Sequence, residues 1–342
     1  MSPVTNNRAS PDCRLCRVAV RVAAPSDQNG ATPEAGIPEA IGLICRRWNA
    51  GDSCAVMERQ HSLDRHSATA METAMKLVHI SDIHINDAPI LGLDSIANFK
   101  KCLAYVEAND QDADLVVITG DLTHYGQEES YLQLAEILEG SSLKGKLEPR
   151  LMIGNHDSRE TFASVFPAAN RDDDGFVQWT EETPAGLFVY MDTVDAGRHG
   201  GIYCDKRMAW LKRVLDAARD KGQKAYLFMH HNPVRVHVAN ADVIGILNEQ
   251  ELQSLLREYR DTVAHLFFGH CHYTLSGAVS GISYSAPRST NHSCWPDFSG
   301  RPGRMGYGDL APNYNVCFLE EDSVVVHSID FLDADKVKWK DD

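Results

Sequence analysis

No stretch of this 342-residue chain approaches the run of about 18 apolar residues that a membrane-crossing helix needs. Positive charge is also scarce. Lysine and arginine total 33 against 48 acidic residues, a formal net charge of -15, so long-range Coulomb terms repel polyanions and disfavour a nucleic-acid or anionic-membrane partner. A small phosphorylated substrate is not excluded, because bound divalent cations can dominate the local field. The nine cysteines are odd in number and lack dense, regular spacing. That pattern fits reduced thiols in a cytoplasmic protein better than a disulfide framework. No uninterrupted apolar core for a signal peptide is present near the N-terminus, since Arg14, Arg17 and Arg21 break the one candidate. No internal repeat is visible.

Residues 1–74 lack lysine altogether, and their eight arginines are matched by eight acidic residues, so the whole -15 falls on residues 75–342. Helical or strand periodicity is scant there. Cys13-x-x-Cys16 with Cys45 and Cys54 is spaced too widely for a zinc ribbon, and Asp12 and Asp27 spoil the basic character of a transit peptide. The segment reads as a disordered extension or a misassigned start. Met75 is the natural beginning of the fold, with Met71 a close rival.

From Met75 onward, strands and helices alternate. Strands are expected at 76–81, 115–118, 151–153, 187–191, 225–229 and 263–268. Helices are expected at 94–108 (N-cap Asp94 or Ser95), 127–139, from Ser158, from Asp205, and after Asn248, with Glu251 at the reciprocal capping position. Residues 168–186 read as a polar, Asp-rich loop. After residue 272 the pattern turns to short strands at 274–279, 282–286, 314–319 and 323–331. This is βαβ architecture switching to antiparallel strands.

Five of these apolar runs end in metal-ligand chemistry. They deliver Asp82 and His84; Gly120-Asp121; Gly154-Asn155-His156-Asp157; His230-His231; and Gly269-His270-Cys271-His272. Sites in open α/β sheets form outside the carboxyl ends of strands, and a glycine before a ligand allows a tight turn or positive φ. Taken singly, a Gly-Asp is usually a turn and a histidine pair is usually packed. Five such strand ends in one chain point to a shared site. The ligand set is too oxygen-rich for a structural zinc site and too nitrogen-rich for magnesium or calcium. It suits two borderline ions such as Fe, Mn, Zn or Co. A carboxylate must bridge such a pair, and Asp121 is the best placed.

The order Asp-x-His, Gly-Asp, Gly-Asn-His-Asp, His, Gly-His-x-His resembles the calcineurin-like metallophosphoesterase superfamily. More narrowly, it is similar to the class III cyclic-nucleotide and glycerophosphodiester phosphodiesterases. The resemblance covers roughly residues 76–332. It implies an α/β fold, a four-layer αββα sandwich of two mixed β-sheets flanked by helices, with a catalytic domain at 75–332 and a charged tail at 333–342. It also implies that Asp82, His84 and His272 bind one metal, that Asn155, His230 and His270 bind the second, and that Asp121 bridges. His156 would meet the phosphate and protonate the leaving alkoxide, with Asp157 orienting it. The implied reaction is hydrolysis of a small phosphodiester by a metal-bound hydroxide. A 3′,5′-cyclic nucleotide is the first choice and a glycerophosphodiester or other alkyl diester the alternative.

Gly200-Gly201 followed by Trp210-Leu211 also resembles a family segment. Asp157 in place of Glu, and Leu122-Thr123-His124 after Asp121, argue against a protein phosphatase. A non-catalytic scaffold would lack ligands, and all seven are present. The family often dimerises, which leaves a homodimer or higher homo-oligomer as an open expectation.

His124 stands where the family often has Asp or Asn; it either touches substrate or lines the cleft rim. Asn291 and His292 are candidates for the pocket mouth. Residues 234–247 could cap the site or form a subunit contact. His79 is expected in the strand interior, Cys271 on the core side of its loop, and His231 beside a ligand rather than on metal. His199 and His237 are read as loop histidines.

Overall fold

The apolar strand Met75-Lys76-Leu77-Val78-His79-Ile80 (β1) divides its side chains between two surroundings. Leu77 enters a layer shared with Phe188, Phe228 and Phe267, whereas Val78 and Ile80 join a cluster with Phe99, Leu103 and Tyr131. A strand with both faces apolar needs cover on both sides, and the rest of the chain supplies it.

A computed structural model describes residues 74–308 and 310–340, all within one compact unit. The N-terminal extension and its four cysteines lie outside the described residues. After β1 come α1 (Ser95–Asn109), β2 (Leu115–Ile118), α2 (Glu128–Glu139), β3 (Arg150–Leu151), α3 (Arg159–Val165), β4 (Trp179–Thr183) and β5 (Gly186–Tyr190). Then follow α4 (Asp205–Asp220), β6 (Ala225–Phe228), α5 (Ala239–Asp242), α6 (Glu249–Glu258), β7 (Val263–Phe267), β8 (Leu275–Val279) and β9 (Ile282–Ala286). The chain ends with β10 (Cys294–Trp295), β11 (Gly306–Tyr307), β12 (Tyr314–Leu319), β13 (Val324–Ile329) and a 3₁₀ turn, Phe331–Lys336.

Two mixed sheets form, in the orders β13-β12-β1-β2-β3 and β4-β5-β6-β7-β9-β8. Their inner faces share one core, with Leu77, Leu115, Val117 and Cys317 from the first and Phe188, Tyr190, Phe228 and Phe267 from the second. The outer face of the first sheet packs on Phe99, Leu103 and Val106 of α1 and on Tyr131 and Leu134 of α2. The outer face of the second packs on Leu211 and Leu215 of α4 and on Leu252 and Leu256 of α6. The result is the expected helix–sheet–sheet–helix sandwich. Burying each such side chain contributes about 1.5–3 kcal/mol. Four rings also stack in sequence across β4–β5–β6–β7. Their centroid spacings are 4.1 Å (Trp179–Tyr190), 5.1 Å (Tyr190–Phe228) and 4.8 Å (Phe228–Phe267).

The parallel core of each sheet aims its strand ends the same way. β1, β2 and β3 run parallel in one sheet, as do β5, β6, β7 and β9 in the other.

Asp94 caps α1 by accepting the Ala97 N–H at 2.9 Å, and Ser158 caps α3 through Thr161 N. Two expectations fail locally. Residues 179–183, expected in a loop, form the edge strand β4. Asn248 does not cap α6 with its side chain. Its Oδ1 accepts from Tyr203 N and its Nδ2 donates to Tyr203 O and to Glu251, so it ties α6 to the segment entering α4. The hairpin β10–β11 was not expected at all.

Candidate metal centre

The five strand ends meet at one place. Asp82 and His84 follow β1, Asp121 follows β2, Asn155 follows β3, His230 follows β6, and His270 and His272 follow β7. Their loops are fastened to one another by backbone hydrogen bonds. Asp82 N donates to Gly120 O (3.1 Å), His84 N to Asp121 O (2.8 Å), and Ile85 N to Leu122 O (2.9 Å). Asp82 also uses both carboxylate oxygens to accept the His270 N–H, at 2.9 and 3.1 Å.

The backbone strain sits on the candidate ligands themselves. Asp82, His84, Asp121, His270 and His272 have φ values of 54°, 48°, 49°, 66° and 57°. Non-glycine residues rarely occupy this region, at a cost of order 1 kcal/mol or more each, and such outliers cluster at functional sites. Only one of the three glycines preceding ligands, Gly120 at φ +100°, shares this conformation. Gly154 serves by close approach instead. A Cβ there would lie 2.7 Å from the His230 ring.

The donors are poised as two half-sites. Ligand atoms of Asp82, His84, Asp121 and His272 all lie within 4.8 Å of one another. His84 Nε2 and His272 Nε2 stand 3.1 Å apart, with Asp121 Oδ2 3.5 Å from the former and Asp82 Oδ1 3.2 Å from the latter. On the other side, His230 Nε2 lies 3.1 Å from Asn155 Oδ1 and 3.3 Å from Asp121 Oδ1. The His270 ring is 5.1 Å from that of His230, and its buried Nε2 has no hydrogen-bond partner. Asp121 thus offers one oxygen to each half. Lone pairs converging this closely repel unless a cation or proton lies among them, and an orphaned buried nitrogen calls for a partner. The donor set is suited to two metal ions.

A family model described as calcineurin-like phosphoesterase matches residues 75–273. The chain belongs to the calcineurin-like phosphoesterase family. Among similar proteins is one from Rhodopseudomonas palustris described as a probable cyclic nucleotide phosphodiesterase. It is 32% identical over 263 residues, covering 75% of this chain and 93% of the relative. The 3′,5′-cyclic adenosine monophosphate phosphodiesterase CpdA of Pseudomonas aeruginosa is 27% identical, covering 79% and 95%. A probable glycerophosphodiester phosphodiesterase of Arcobacter nitrofigilis is also 27% identical, covering 64% and 79%. Of solved structures, a dimetal phosphatase from Danio rerio superposes with a TM-score of 0.56 at 15% identity, covering 74% of this chain and 95% of that one. At that identity the likeness concerns the fold.

Around the ligands, this phosphoesterase places its other histidines at different depths. His156 lines the pocket. Its Nδ1 lies 2.8 Å from the backbone oxygen of His124, which puts a proton on Nδ1, and none of the described residues hydrogen-bonds to Nε2. His124 stacks on His156 with the rings 15° apart. Burial pushes His124 down to about 4, with His156 adding to the effect. Burial and His272 push His292 down to about 3. Both are therefore neutral at pH 7. His292 lines the pocket and accepts His272 Nδ1 on its carbonyl at 2.8 Å, which orients that ring. Asn291 does not line the pocket. Its side chain is taken up by Asn98 and His292.

His231 lies behind the ligands, with both ring nitrogens engaged by Thr193 Oγ1 and the His199 carbonyl. His79 lies between the sheets, 2.9 Å from Thr119 Oγ1, with its Nδ1 unpaired. Cys271 is buried in the core cluster, and burial pushes its thiol up. His199 is a loop histidine as expected, and it also lines the pocket and reaches Asn155 Nδ2 at 3.3 Å. Only its proximity to Gly200-Gly201 could have signalled this.

Asp157 does not touch the His156 ring. Its Oδ1 accepts from Thr123 N, Thr123 Oγ1 and Tyr131 OH, and its Oδ2 from Leu122 N and Gly154 N. It clamps the Asp121 loop to the Asn155 loop. Burial and the neighbouring Asp121 charge raise its pKa to about 6, against these five donors. Asp157→Asn turns an amide group toward N–H donors and is expected to cost about 2–5 kcal/mol of stability. Urea denaturation of the metal-free protein checks this, and a loss under 1 kcal/mol would count against the clamp.

Protons compete with metal here. Burial works to lower the His230 pKa, but the Asp121 and Asp82 carboxylates outweigh it and raise the value to about 9. His230 therefore carries a proton at pH 7 in the metal-free protein. Metal uptake must expel it, so affinity at the half-site containing His230 should rise about tenfold per pH unit and level off above pH 9. This half-site holds one shared carboxylate and the neutral Asn155, whereas the other holds Asp82 as well. Metal titration at pH 7 should thus resolve a tight and a weak step, with calorimetry in buffers of different ionisation enthalpy reading the released proton. Two equally tight, pH-independent steps would contradict this.

Proposed function

We propose that this chain is a metal-dependent phosphodiesterase acting on small diesters, with a 3′,5′-cyclic nucleotide as first substrate. The observation that carries the proposal is the pair of half-sites sharing Asp121 at the floor of a pocket of about 340 Å³. In this reading Asp82, His84 and His272 would hold one metal, Asn155, His230 and His270 the second, with Asp121 between them. Fe, Mn, Zn and Co suit the mixed carboxylate, amide and imidazole donors. Two such ions, when bound, supply Lewis acidity at phosphoryl oxygens and lower the pKa of a bound water to about 7.

The chain's own part is to position and to move a proton. His156, held through its Nδ1–H by a backbone carbonyl, would present Nε2 to the leaving oxygen; in its imidazolium form it gives the Nε2 proton there and is left as the neutral Nδ1–H ring. The neutral His124 and His292 do not serve as general acids at pH 7. They wall the phosphate site and fix the rings of His84 and His272.

The similarity to named cyclic-nucleotide phosphodiesterases supports the first choice, and the similarity to a glycerophosphodiester phosphodiesterase supports the alternative. The proposal assigns catalysis to residues 75–332 and a cytoplasmic setting, supported by the free state of all five described cysteines. A homo-oligomer is also part of it, supported by the exposed Val243 and Leu247 beside the pocket. The test is hydrolysis by the full chain after metal loading. Cyclic AMP or a glycerophosphodiester should be cleaved, and a phosphomonoester cleaved poorly. Cleavage of the monoester alone would refute the proposal.

A further inference from the structure

The pocket floor is polar, but one wall is not. Trp295 and Met305 line it from the β10–β11 hairpin, and Leu91 lines it from the loop after β1. All three are large apolar side chains left 65%, 52% and 48% exposed. Burying that much apolar surface only on ligand binding is what a site for an apolar or aromatic group does.

The hairpin is fastened to the metal centre and to the opposite rim. Cys294 N donates to the carbonyl of the ligand His272 at 2.9 Å, and His292, three residues before Trp295, supports the His272 ring. At the hairpin tip, Gly303 N donates to Asn240 Oδ1 at 2.8 Å, joining the α5 segment that also borders the pocket. Gly306, paired with Trp295 across the hairpin, leaves room for its stem, since a Cβ there would lie 2.8 Å from the Trp295 Cβ. Leu91 is held at a turn closed by reciprocal Ile90–Leu93 hydrogen bonds of 2.9 Å, at φ 52°. A leucine kept exposed in this conformation is poised for contact. Tyr273 lines the same pocket, with its buried hydroxyl beside the Cys271 thiol.

We infer that Trp295, with Met305 and Leu91, forms a shelf on which a planar nucleobase of the diester substrate stacks, and that this shelf sets the preference for nucleotide over alkyl diesters. The inference rests on the phosphodiesterase proposal above. Stacking of a base on an aromatic side chain has a large, sequence-tolerant effect.

The test compares cyclic AMP with methyl ribofuranoside 3′,5′-cyclic phosphate, which keeps the cyclic diester and lacks the base. The metal-loaded full chain should favour cyclic AMP in kcat/KM by roughly tenfold or more. Trp295→Ala should bring the ratio of the two to within about threefold, and Met305→Ala should lower it by a smaller factor. Equilibrium dialysis of AMP gives a readout independent of turnover, with affinity about tenfold weaker in Trp295→Ala. An unchanged substrate ratio together with unchanged AMP affinity overturns the shelf. AMP binding that depends on Trp295, in a chain that cleaves neither diester, upholds the shelf and overturns the phosphodiesterase proposal alone.

Discussion

Asp121→Ala is expected to abolish turnover and metal binding together. Asp121 is 1% exposed, and its two oxygens point into different halves of the site, 3.5 Å from His84 Nε2 and 3.3 Å from His230 Nε2. Oδ1 also accepts the His156 N–H at 2.9 Å, which holds the loop that carries Asn155. Removing the carboxylate takes negative charge from both half-sites and leaves the clustered imidazoles with Asp82 as their remaining close counter-charge. The expected result is fewer than one metal per chain where the parent holds two, and a fall in kcat/KM of about 10³-fold or more, equivalent to at least 4 kcal/mol of transition-state stabilisation. Elemental analysis alongside diester hydrolysis reads both. Asp121→Asn separates the two contributions, since it keeps an acceptor for His156 N and removes the charge. Two tightly held metals in Asp121→Ala would show that the carboxylate does not bridge.

What the sequence makes legible is the part written in long apolar runs. A strand buried on both faces has to be continuously apolar, and a change to Asp, Asn or His at its end is abrupt. That is why β1, β2, β6 and β7, and the Asp and His residues that meet at their ends, are legible in the sequence. Elements with weaker patterning stayed hidden. β4 is an edge strand with intermediate and exposed positions, Trp-Thr-Glu-Glu-Thr, after an Asp-rich stretch, so its polarity reads as loop. β10 and β11 are two residues each, too short to show a period. The Asn248-x-x-Glu251 pattern matches a capping box, but tertiary contacts with Tyr203 take the asparagine's side chain.

Supporting residues were harder to assign than ligands, because their roles depend on distances across the fold. Asp157 follows His156 directly, and adjacency suggests that one orients the other. The chain instead turns, so that Asp157 faces backwards into Leu122, Thr123 and Tyr131, while the carbonyl of His124 holds His156. Nothing in a side-chain pattern announces a backbone acceptor. Of the glycines expected to allow a tight turn or positive φ, Gly120 has positive φ, whereas at Gly154 and Gly269 a Cβ would clash with the Asp121 and Ser81 side chains. The left-handed backbone, however, falls mostly on the aspartates and histidines beside them.

The carbonyl that orients His156 leads to the second large effect. His156→Ala should keep both metals, since it removes none of the seven proposed ligands and the backbone N–H of residue 156 to Asp121 survives the change. The His124 carbonyl is also untouched. What is lost is the proton that the imidazolium form of His156 would give from Nε2, and removal of a general acid lowers kcat by about 10²–10⁴-fold. The loss should depend on the leaving group. An alkoxide, such as a ribose or glycerol oxygen, needs a proton as the bond to phosphorus breaks, whereas a nitrophenolate departs without one. The deficit of His156→Ala should therefore be near its full size with cyclic AMP and shrink to a few-fold with bis(p-nitrophenyl) phosphate. A deficit of equal size for both would mean that His156 binds the phosphate without donating a proton. Unchanged turnover of cyclic AMP would remove it from the mechanism.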